Sequence, residues 1–344
     1  MTGTAGARRA GVRLSVLDTS PIVEGATARQ ALHRTVDLAR LAEGLGFHRY
    51  WVPEHHSMRG VASSAPAVLI GHLANATRRL RVGAGGVLLP NHAPIVIAEQ
   101  FGTLEAFHPG RIDLGLGRAP GGPPAAVDAV RGEPERTAKP FAGQLGELLG
   151  YFAPAEDARV TAIPAIGNAP PIWLLGSSPA SAQLAGERGL PYAFAHHLRP
   201  ANAVEAVRAY HAAFRPSVHA AAPVLLVSVS VIAADTDERA EWLAGSTRLK
   251  VLSRVRGNRI RLPSPEDAAA YPYTDDDRAE IAARSGSVLT GSPETVAKNL
   301  QTVLDDTGAG ELMVTTPVYH HADRRRSYEL VAGIADRLRP PGKD

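Results

Sequence analysis

The sequence predicts an α/β fold in which eight parallel strands close into a (β/α)8 TIM barrel. Short apolar runs rich in β-branched residues alternate with longer stretches of helical periodicity, which is typical of repeated β–α units. Eight such runs are present, and eight is the number at which a parallel sheet closes into a barrel. The 344 residues fit one domain, 1–344, because barrels commonly fill that length as a single unit. A doubly wound open sheet is the alternative.

Each predicted strand is one of these apolar runs. The runs are 12–19, 49–53, 80–89, 111–117, 172–175, 192–196, 224–233 and 311–315. Helices are predicted between them, and Ser178-Pro179 and Ser292-Pro293 are typical helix starts, with serine as N-cap and proline at the first helical position. Two segments break the alternation and are predicted as insertions after strands 4 and 7, at about 119–170 and 235–290.

Composition excludes several classes of function. The net charge is only +3, from 37 Lys+Arg and 34 Asp+Glu, so no nucleic-acid partner is expected. The basic runs at 8–9, 78–79 and 324–326 are interpreted as solvated helix faces. The absence of cysteine excludes disulfides and thiolate catalysis. No secretory signal and no apolar run of about 18 residues is present, so we expect a cytoplasmic protein with no membrane association.

Polar residues collect at the predicted C-terminal strand ends, where barrel enzymes place their active sites. They are Asp18, Ser20, Glu54-His55-His56, Gly85-Gly86, Arg118, Gly176-Ser177-Ser178, His196-His197 and His320-His321. Neighbouring side chains on a strand point to opposite faces, so one histidine of each pair should face the barrel mouth. Histidine is suited to proton transfer near neutral pH.

Two of these features suggest a ligand. Gly85-Gly86 lies inside an apolar strand, which indicates a bulge or a backbone that approaches a ligand closely. Gly176-Ser177-Ser178 leads into a predicted helix, whose free N–H groups could hold a phosphate. Arg118, at a nearby strand end, could pair with the same phosphate. An ordinary N-cap and a structural ion pair are the alternatives for Ser178 and Arg118.

Four segments together carry a family resemblance, and their order and spacing match as well. The segments are 50–56 (YWVPEHH), 82–90 (VGAGGVLLP), 108–118 (HPGRIDLGLGR) and 171–178 (PIWLLGSS). They resemble the bacterial luciferase-like monooxygenases, a family of flavin-dependent oxidoreductases, over about residues 12–319. The stand-alone members of metabolic and natural-product pathways are the most similar.

The resemblance implies reduced FMN (FMNH2) bound at the strand ends. Arg118 with Gly176, Ser177 and Ser178 would hold the flavin phosphate. Gly85 and Gly86 would form the family's non-prolyl cis peptide beside the flavin ring. His55 and Glu54 would be the catalytic residues: His55 would assist the oxygen chemistry, and Glu54 beside it would help to shape the flavin site.

The reaction implied by the resemblance is a monooxygenation. Reduced flavin reacts with O2 to give a C4a-hydroperoxide, which transfers one oxygen atom to a small organic or natural-product substrate. The expected partners are a separate NAD(P)H:flavin reductase and a second copy of the chain in a homodimer. The segment 255–290 would be a lid. Gly117 stands where the light-emitting enzymes have a cysteine, so luciferase activity is not expected.

Three alternatives stay open at this point. One is a deazaflavin (F420) oxidoreductase of the same fold. A second is a metal-dependent barrel hydrolase that uses strand-end histidines and Asp18. A third is a flavin-binding protein without catalytic activity.

Overall fold

The computed structural model describes residues 11–119, 121–131, 139–284 and 287–340, and it confirms the (β/α)8 barrel. Eight parallel strands form the closed ring: β1 Arg13–Leu17, β2 Arg49–Val52, β3 Arg81–Leu88, β4 Ile112–Gly117, β5 Ile172–Gly176, β6 Tyr192–Phe194, β7 Leu225–Ala233 and β9 Glu311–Thr315. The ring closes because β9 pairs with both β1 and β7. The open-sheet alternative is therefore wrong.

The helices of the described residues surround this ring. They are α1 Ala28–Gly44, α2 Pro66–Ala76, α3 Pro94–Phe107, α4 Pro124–Arg131, α5 Phe141–Phe152, α6 Pro179–Glu187, α7 Ala203–Ala213, α8 Asp237–Val255, α9 Pro265–Ala270, α10 Asp275–Arg284, α11 Pro293–Thr307 and α12 His321–Gly333. None of them is long and apolar enough to cross a membrane.

The predicted helix starts are confirmed in detail. The Ser178 side chain accepts a hydrogen bond from the Ser181 amide at the start of α6, and Ser292 caps α11 in the same way. Gly308 ends α11 in the left-handed conformation, with φ of +66°, which glycine adopts without steric cost.

A ninth strand, β8 (Val288–Gly291), was not predicted. It pairs in parallel with the last four residues of β7, from Ser230 to Ala233. Because β7 is nine residues long, its first part pairs within the ring while its end accepts this extra strand. The predicted insertion after strand 7 therefore contains regular structure, namely α8, α9, α10 and β8.

The barrel interior has an apolar layer above a charged floor. The layer consists of Leu17, Trp51, Trp173, Ala193, Leu226 and Met313. Below it, the Arg49 guanidinium bonds Asp113 at 2.8 Å and Glu311 at 2.7 Å. It also lies 4.8 Å from the centre of the Trp173 ring. These charges are paired and hydrogen-bonded, as buried charges must be.

One interpretation of the basic runs is wrong. Arg324 is only 3% exposed, and its Nη2 atom lies 2.6 Å from an Asp18 carboxylate oxygen. This ion pair joins the end of β1 to α12. Arg325 and Arg326 do face solvent, where they pair with Asp37 and with Asp235. The run at 8–9 lies outside the described residues.

Candidate active site

The C-terminal strand ends form the mouth of the barrel. Glu54 and His55 follow β2, Gly85 and Gly86 lie in β3, and Arg118 follows β4. Gly176 ends β5, and Ser177 and Ser178 lead from it into α6. Because β2 to β5 are successive neighbours in the ring, these residues lie at one half of the mouth.

The Gly85-Gly86 peptide bond is cis, and the predicted bulge is present. The register with β4 shifts between Gly85 and Val87. A β-carbon on Gly86 would stand 2.7 Å from the Gly115 carbonyl oxygen, and one on Gly85 would stand 2.9 Å from the Leu17 side chain. The Gly86 contact is with backbone, so that position needs glycine, whereas at Gly85 the Leu17 side chain would have to shift.

Glu54 is the hub of a hydrogen-bond cluster at the ends of β2 and β3. Its Oε1 atom lies 2.7 Å from His56 Nε2 and 2.8 Å from His92 Nε2. The Asn91 amide also donates to Oε1 at 3.3 Å, while the Leu88 backbone N–H donates to Oε2 at 3.0 Å. Glu54 is 1% exposed, so the carboxylate fixes the loop after β3 against the segment after β2.

These partners keep Glu54 ionised. Burial by itself raises the pKa of the carboxyl, but the hydrogen bond and charge of His92, the hydrogen bond of His56 and the Leu88 amide outweigh it. The net result is a lowered pKa for Glu54. Glu54 therefore acts as an anchor that accepts hydrogen bonds, not as a proton donor near neutral pH.

His55, in contrast to the ionised Glu54, is held in its neutral form. Burial lowers the pKa of its imidazole, and the Gly121 carbonyl and the charge of Glu54 only partly oppose that effect. Its Nδ1 atom is buried and has no hydrogen-bond partner among the described residues. Its backbone N–H donates to Ser63 at 2.9 Å, which fixes the main chain. His55 thus presents a neutral ring at the mouth with one nitrogen uncommitted.

Arg118 and the start of α6 follow two neighbouring strands, β4 and β5. Leu116 of β4 is in register with Leu174 of β5, so Arg118, two residues on, is level with Gly176. Strands in register lie about 5 Å apart and share faces. A β-carbon on Gly176 would stand 2.0 Å from Ser181 Oγ in α6, so this face is turned toward the helix N-terminus. Arg118 is exposed and makes no ion pair with any described residue.

The His196-His197 pair follows β6. The Nδ1 atom of His197 lies 2.9 Å from Ser228 Oγ on β7. Burial lowers the pKa of His197 to about 4, with smaller contributions from His196 and His55. His196 Nδ1 is buried without a hydrogen-bond partner in the described structure. The two imidazole rings thus have different surroundings, as expected for neighbouring residues whose side chains point to opposite faces.

Two predicted candidates lie elsewhere. His321 Nε2 is bonded to Asp37 of α1 at 2.7 Å. Asp18 accepts hydrogen bonds from Arg324, Tyr50 and Thr35, so its carboxylate is turned toward the helices. The described residues contain no cluster of three or more potential metal ligands. The hydrolase alternative therefore lacks the Asp18 ligand it required.

Sequence reasoning missed three contributors to the site, His92, Asn91 and Ser228. Asn91 and His92 lie three and four residues after the end of β3, and this position was the available signal for them. Ser228 lies within β7, where it reads as an ordinary strand residue, so only the tertiary contact with His197 identifies it.

Comparison with known proteins gives one consistent result. The family model described as luciferase-like monooxygenase matches residues 12–311. A luciferase-like monooxygenase of Escherichia coli K12 is 42% identical over 328 residues, covering 95% of this chain and 98% of that protein. The N-acetyl-S-alkylcysteine monooxygenase of Bacillus subtilis is 35% identical over 329 residues, covering 93% and 97%. The crystal structure of apo-MsnO8 has a TM-score of 0.89 at 38% identity, covering 96% and 99%.

More distant structures share the fold. The oxygenating component of 3,6-diketocamphane monooxygenase from Pseudomonas putida, solved with FMN, has a TM-score of 0.71 at 23% identity, covering 96% of this chain and 100% of that one. An F420-dependent secondary alcohol dehydrogenase has a TM-score of 0.64 at 14% identity, covering 93% and 97%. Both flavin and deazaflavin enzymes thus use this barrel.

Proposed function

The chain belongs to the luciferase-like monooxygenase family and is an oxidoreductase, and from that premise we propose that it uses FMNH2 and O2 to oxygenate a small organic substrate. The observation that carries the proposal is the unpaired Arg118, which follows β4 next to the strand that leads into α6, in the same half of the mouth as His55. A separate NAD(P)H:flavin reductase would supply FMNH2 by diffusion. The cytoplasm, where such reductases operate, is the proposed location.

Arg118, Gly176, Ser177 and Ser178 would hold the phosphate of FMN. A guanidinium and backbone N–H groups at a helix N-terminus are a suitable donor set for a phosphate. The Ser178 hydroxyl already caps α6, whereas the Ser177 hydroxyl has no hydrogen bond in the described structure. Ser177 and Arg118 are therefore the side chains free to bind the phosphate, and this free donor set fits FMN.

Gly85 and Gly86 would flank the ring of the cofactor. A wall made of backbone lets a flat ring approach closely, and a β-carbon on Gly86 would collide with the Gly115 carbonyl. Glu54 would keep this wall in place through its bond to the Leu88 amide, 3.0 Å long. Its role is thus to position the site.

Reduced FMN, when bound, supplies the electrons by which one atom of O2 enters the substrate and the other leaves as water. His55 would accept and return a proton at its uncommitted nitrogen, which a neutral imidazole can do near pH 7. The apolar layer of Leu17, Trp51 and Trp173 lies beneath the mouth and would keep water away from the reacting atoms.

We also propose a homodimer. Val68 on α2 is 76% exposed and Phe107 at the end of α3 is 77% exposed. These two side chains are the candidate contacts of the homodimer that the family resemblance implies. Val68→Glu should convert the dimer to a monomer, as measured by light scattering after size-exclusion chromatography.

The decisive test is an anaerobic titration with FMNH2, reduced F420 and reduced riboflavin. We expect FMNH2 to bind and Arg118→Met to weaken it about 10- to 100-fold, the range for loss of charge-assisted hydrogen bonds. Riboflavin, which has no phosphate, should bind the wild type and the variant equally. Arg208→Met, at an exposed arginine on α7, is the matched control. Tighter binding of F420 than of FMNH2 would overturn the proposal.

A further inference from the structure

One face of α8 carries two polar side chains that have no partner in the described structure. Ser246 and Lys250 are four residues apart, so they lie on the same side of the helix. Thr247, beside them, donates a hydrogen bond of 2.9 Å to the Pro317 carbonyl after β9. Leu243, one turn earlier, packs with Val318. This face of α8 is therefore turned toward the loops at the C-terminal ends of the strands.

Lys250 reaches the loops that follow β1 and β2. A β-carbon on Gly60 would stand 3.7 Å from Lys250 Nζ and 3.8 Å from the Ile22 carbonyl oxygen. Ile22 N–H in turn donates to the Gly60 carbonyl at 3.0 Å, which joins the two loops. Since β1 and β2 lie across the ring from β5 and β6, this side of the mouth is remote from the start of α6.

Neither side chain is satisfied by the residues that the structure describes. Ser246 is 0% exposed, and its Oγ atom has no hydrogen-bond partner among the described residues. A serine inside a helix normally bonds a carbonyl of the preceding turn. Lys250 is partly buried, and within the described residues it makes no ion pair or hydrogen bond.

The electrostatics of Lys250 agree with this geometry. Burial, together with the positive charge of Arg254, lowers the pKa of its ammonium group. No carboxylate among the described residues compensates the charge. A partly buried ammonium group without a counter-ion is stabilised when an anion binds beside it. A hydroxyl one helical turn away can donate a hydrogen bond to the same anion.

We propose that Lys250 and Ser246 form a subsite for the carboxylate group of the substrate, a proposal that rests on the function given above. One ammonium balances one negative charge, which fits a monocarboxylate. The carboxylate would enter from the β1, β2 and β9 side, while the cofactor phosphate occupies the β4 and β5 side. The two anions then do not compete, and the rest of the substrate extends between them over the mouth.

The test measures binding without any flavin. N-acetyl-S-methylcysteine, N-acetyl-S-benzylcysteine and decanoate are each titrated into the protein calorimetrically against the corresponding primary amide. We expect at least one acid to bind, and to bind about 10-fold or more tightly than its amide, since a charge-assisted hydrogen bond is lost in the amide. Lys250→Met should abolish the difference, and Lys250→Arg should keep part of it. Lys298→Met, at an exposed lysine on α11, should change nothing.

A second measurement needs no variant. Reductive methylation of the wild-type protein, followed by mass spectrometry, should modify Lys250 more slowly when the acid is present, while Lys298 reacts at an unchanged rate. The proposal is overturned if no acid binds, if acids and amides bind equally, or if Lys250→Met keeps the preference. Because this assay contains no flavin, the two proposals can fail separately. If an acid binds but FMNH2 does not, only the oxygenase function is refuted. If FMNH2 binds but no acid does, only this subsite is refuted.

Discussion

At the scale of single residues, His55 combines a lowered pKa with an uncommitted nitrogen. His55→Asn keeps a polar side chain but removes the titrating ring. We expect it to lower the rate of product formation about 10²- to 10⁴-fold, the usual contribution of a positioned acid–base group, with FMNH2 affinity unchanged. Product and hydrogen peroxide should be quantified in parallel. A variant with normal product yield would show that His55 does not act in catalysis.

His197 makes folding sensitive to acid. Its pKa is about 4 in the folded protein and about 6.5 in the unfolded chain, so below pH 6.5 the unfolded chain binds more protons. The stability that the neutral ring gives to the folded protein is fully present above pH 6.5 and is lost as the pH falls toward 4. The total loss is at most about 3 kcal/mol. His197→Gln should therefore flatten the dependence of the unfolding free energy on pH, measured by urea denaturation.

The matched control for this measurement is His33→Gln on the exposed side of α1. It should leave the pH dependence as in the wild type. A wild-type protein as stable at pH 4.5 as at pH 7 would contradict the assignment.

Residues that belong to one short motif could be found in the sequence, and residues brought together by tertiary contacts could not. Glu54 and His55 follow a strand, and Gly85-Gly86 interrupts one, so both were visible. Lys250 and Ser246 lie in a long helix of ordinary composition, and only the three-dimensional structure shows that no described residue satisfies them. Arg324 looks like one of three surface arginines, because its burial depends on Asp18, 306 residues earlier.

At the scale of elements, two neighbouring serines at the start of α6 have different roles, one in helix stability and the other in the proposed binding of FMN. The Ser178 hydroxyl caps the helix, and a lost serine cap costs about 1 kcal/mol. Ser178→Ala should therefore lower the free energy of unfolding by about that amount. Ser177→Ala should leave stability unchanged and weaken FMNH2 binding. Urea unfolding and the anaerobic titration of both variants give the comparison, and loss of stability in Ser177→Ala would contradict it.

Elements of strong periodicity were predicted closely, and the insertion after β7 was not. The predicted strand at 311–315 agrees with β9 in both bounds. The strand β8 has four residues, too few for a periodicity of its own, and it forms only because the end of β7 projects beyond the ring. The α8 helix begins at a clear signal, Thr236 as N-cap followed by Asp237 and Glu238. In the sequence this segment was interpreted as an insertion with charge runs, so the start of the helix was not recognised.

At the scale of the whole molecule, buried ion pairs connect the parts of the chain most distant in sequence. Arg49 of β2 bonds Glu311 of β9 inside the barrel, and Asp18 after β1 bonds Arg324 of α12 outside it. Both pairs lie next to the seam where β1 meets β9. Removing one member leaves a buried charge without its partner, which costs far more than an exposed ion pair contributes.

Arg324→Met tests this view of barrel closure. The methionine keeps much of the side-chain volume but leaves the carboxylate of Asp18, which is 0% exposed, without its ion partner. We expect the free energy of unfolding to fall by about 3–5 kcal/mol in urea denaturation at pH 7. Arg326→Met on the same helix removes an ion pair whose side chains are 50% and 67% exposed, so it should change stability little. Equal losses in the two variants would show that burial of the Asp18 pair does not hold the seam.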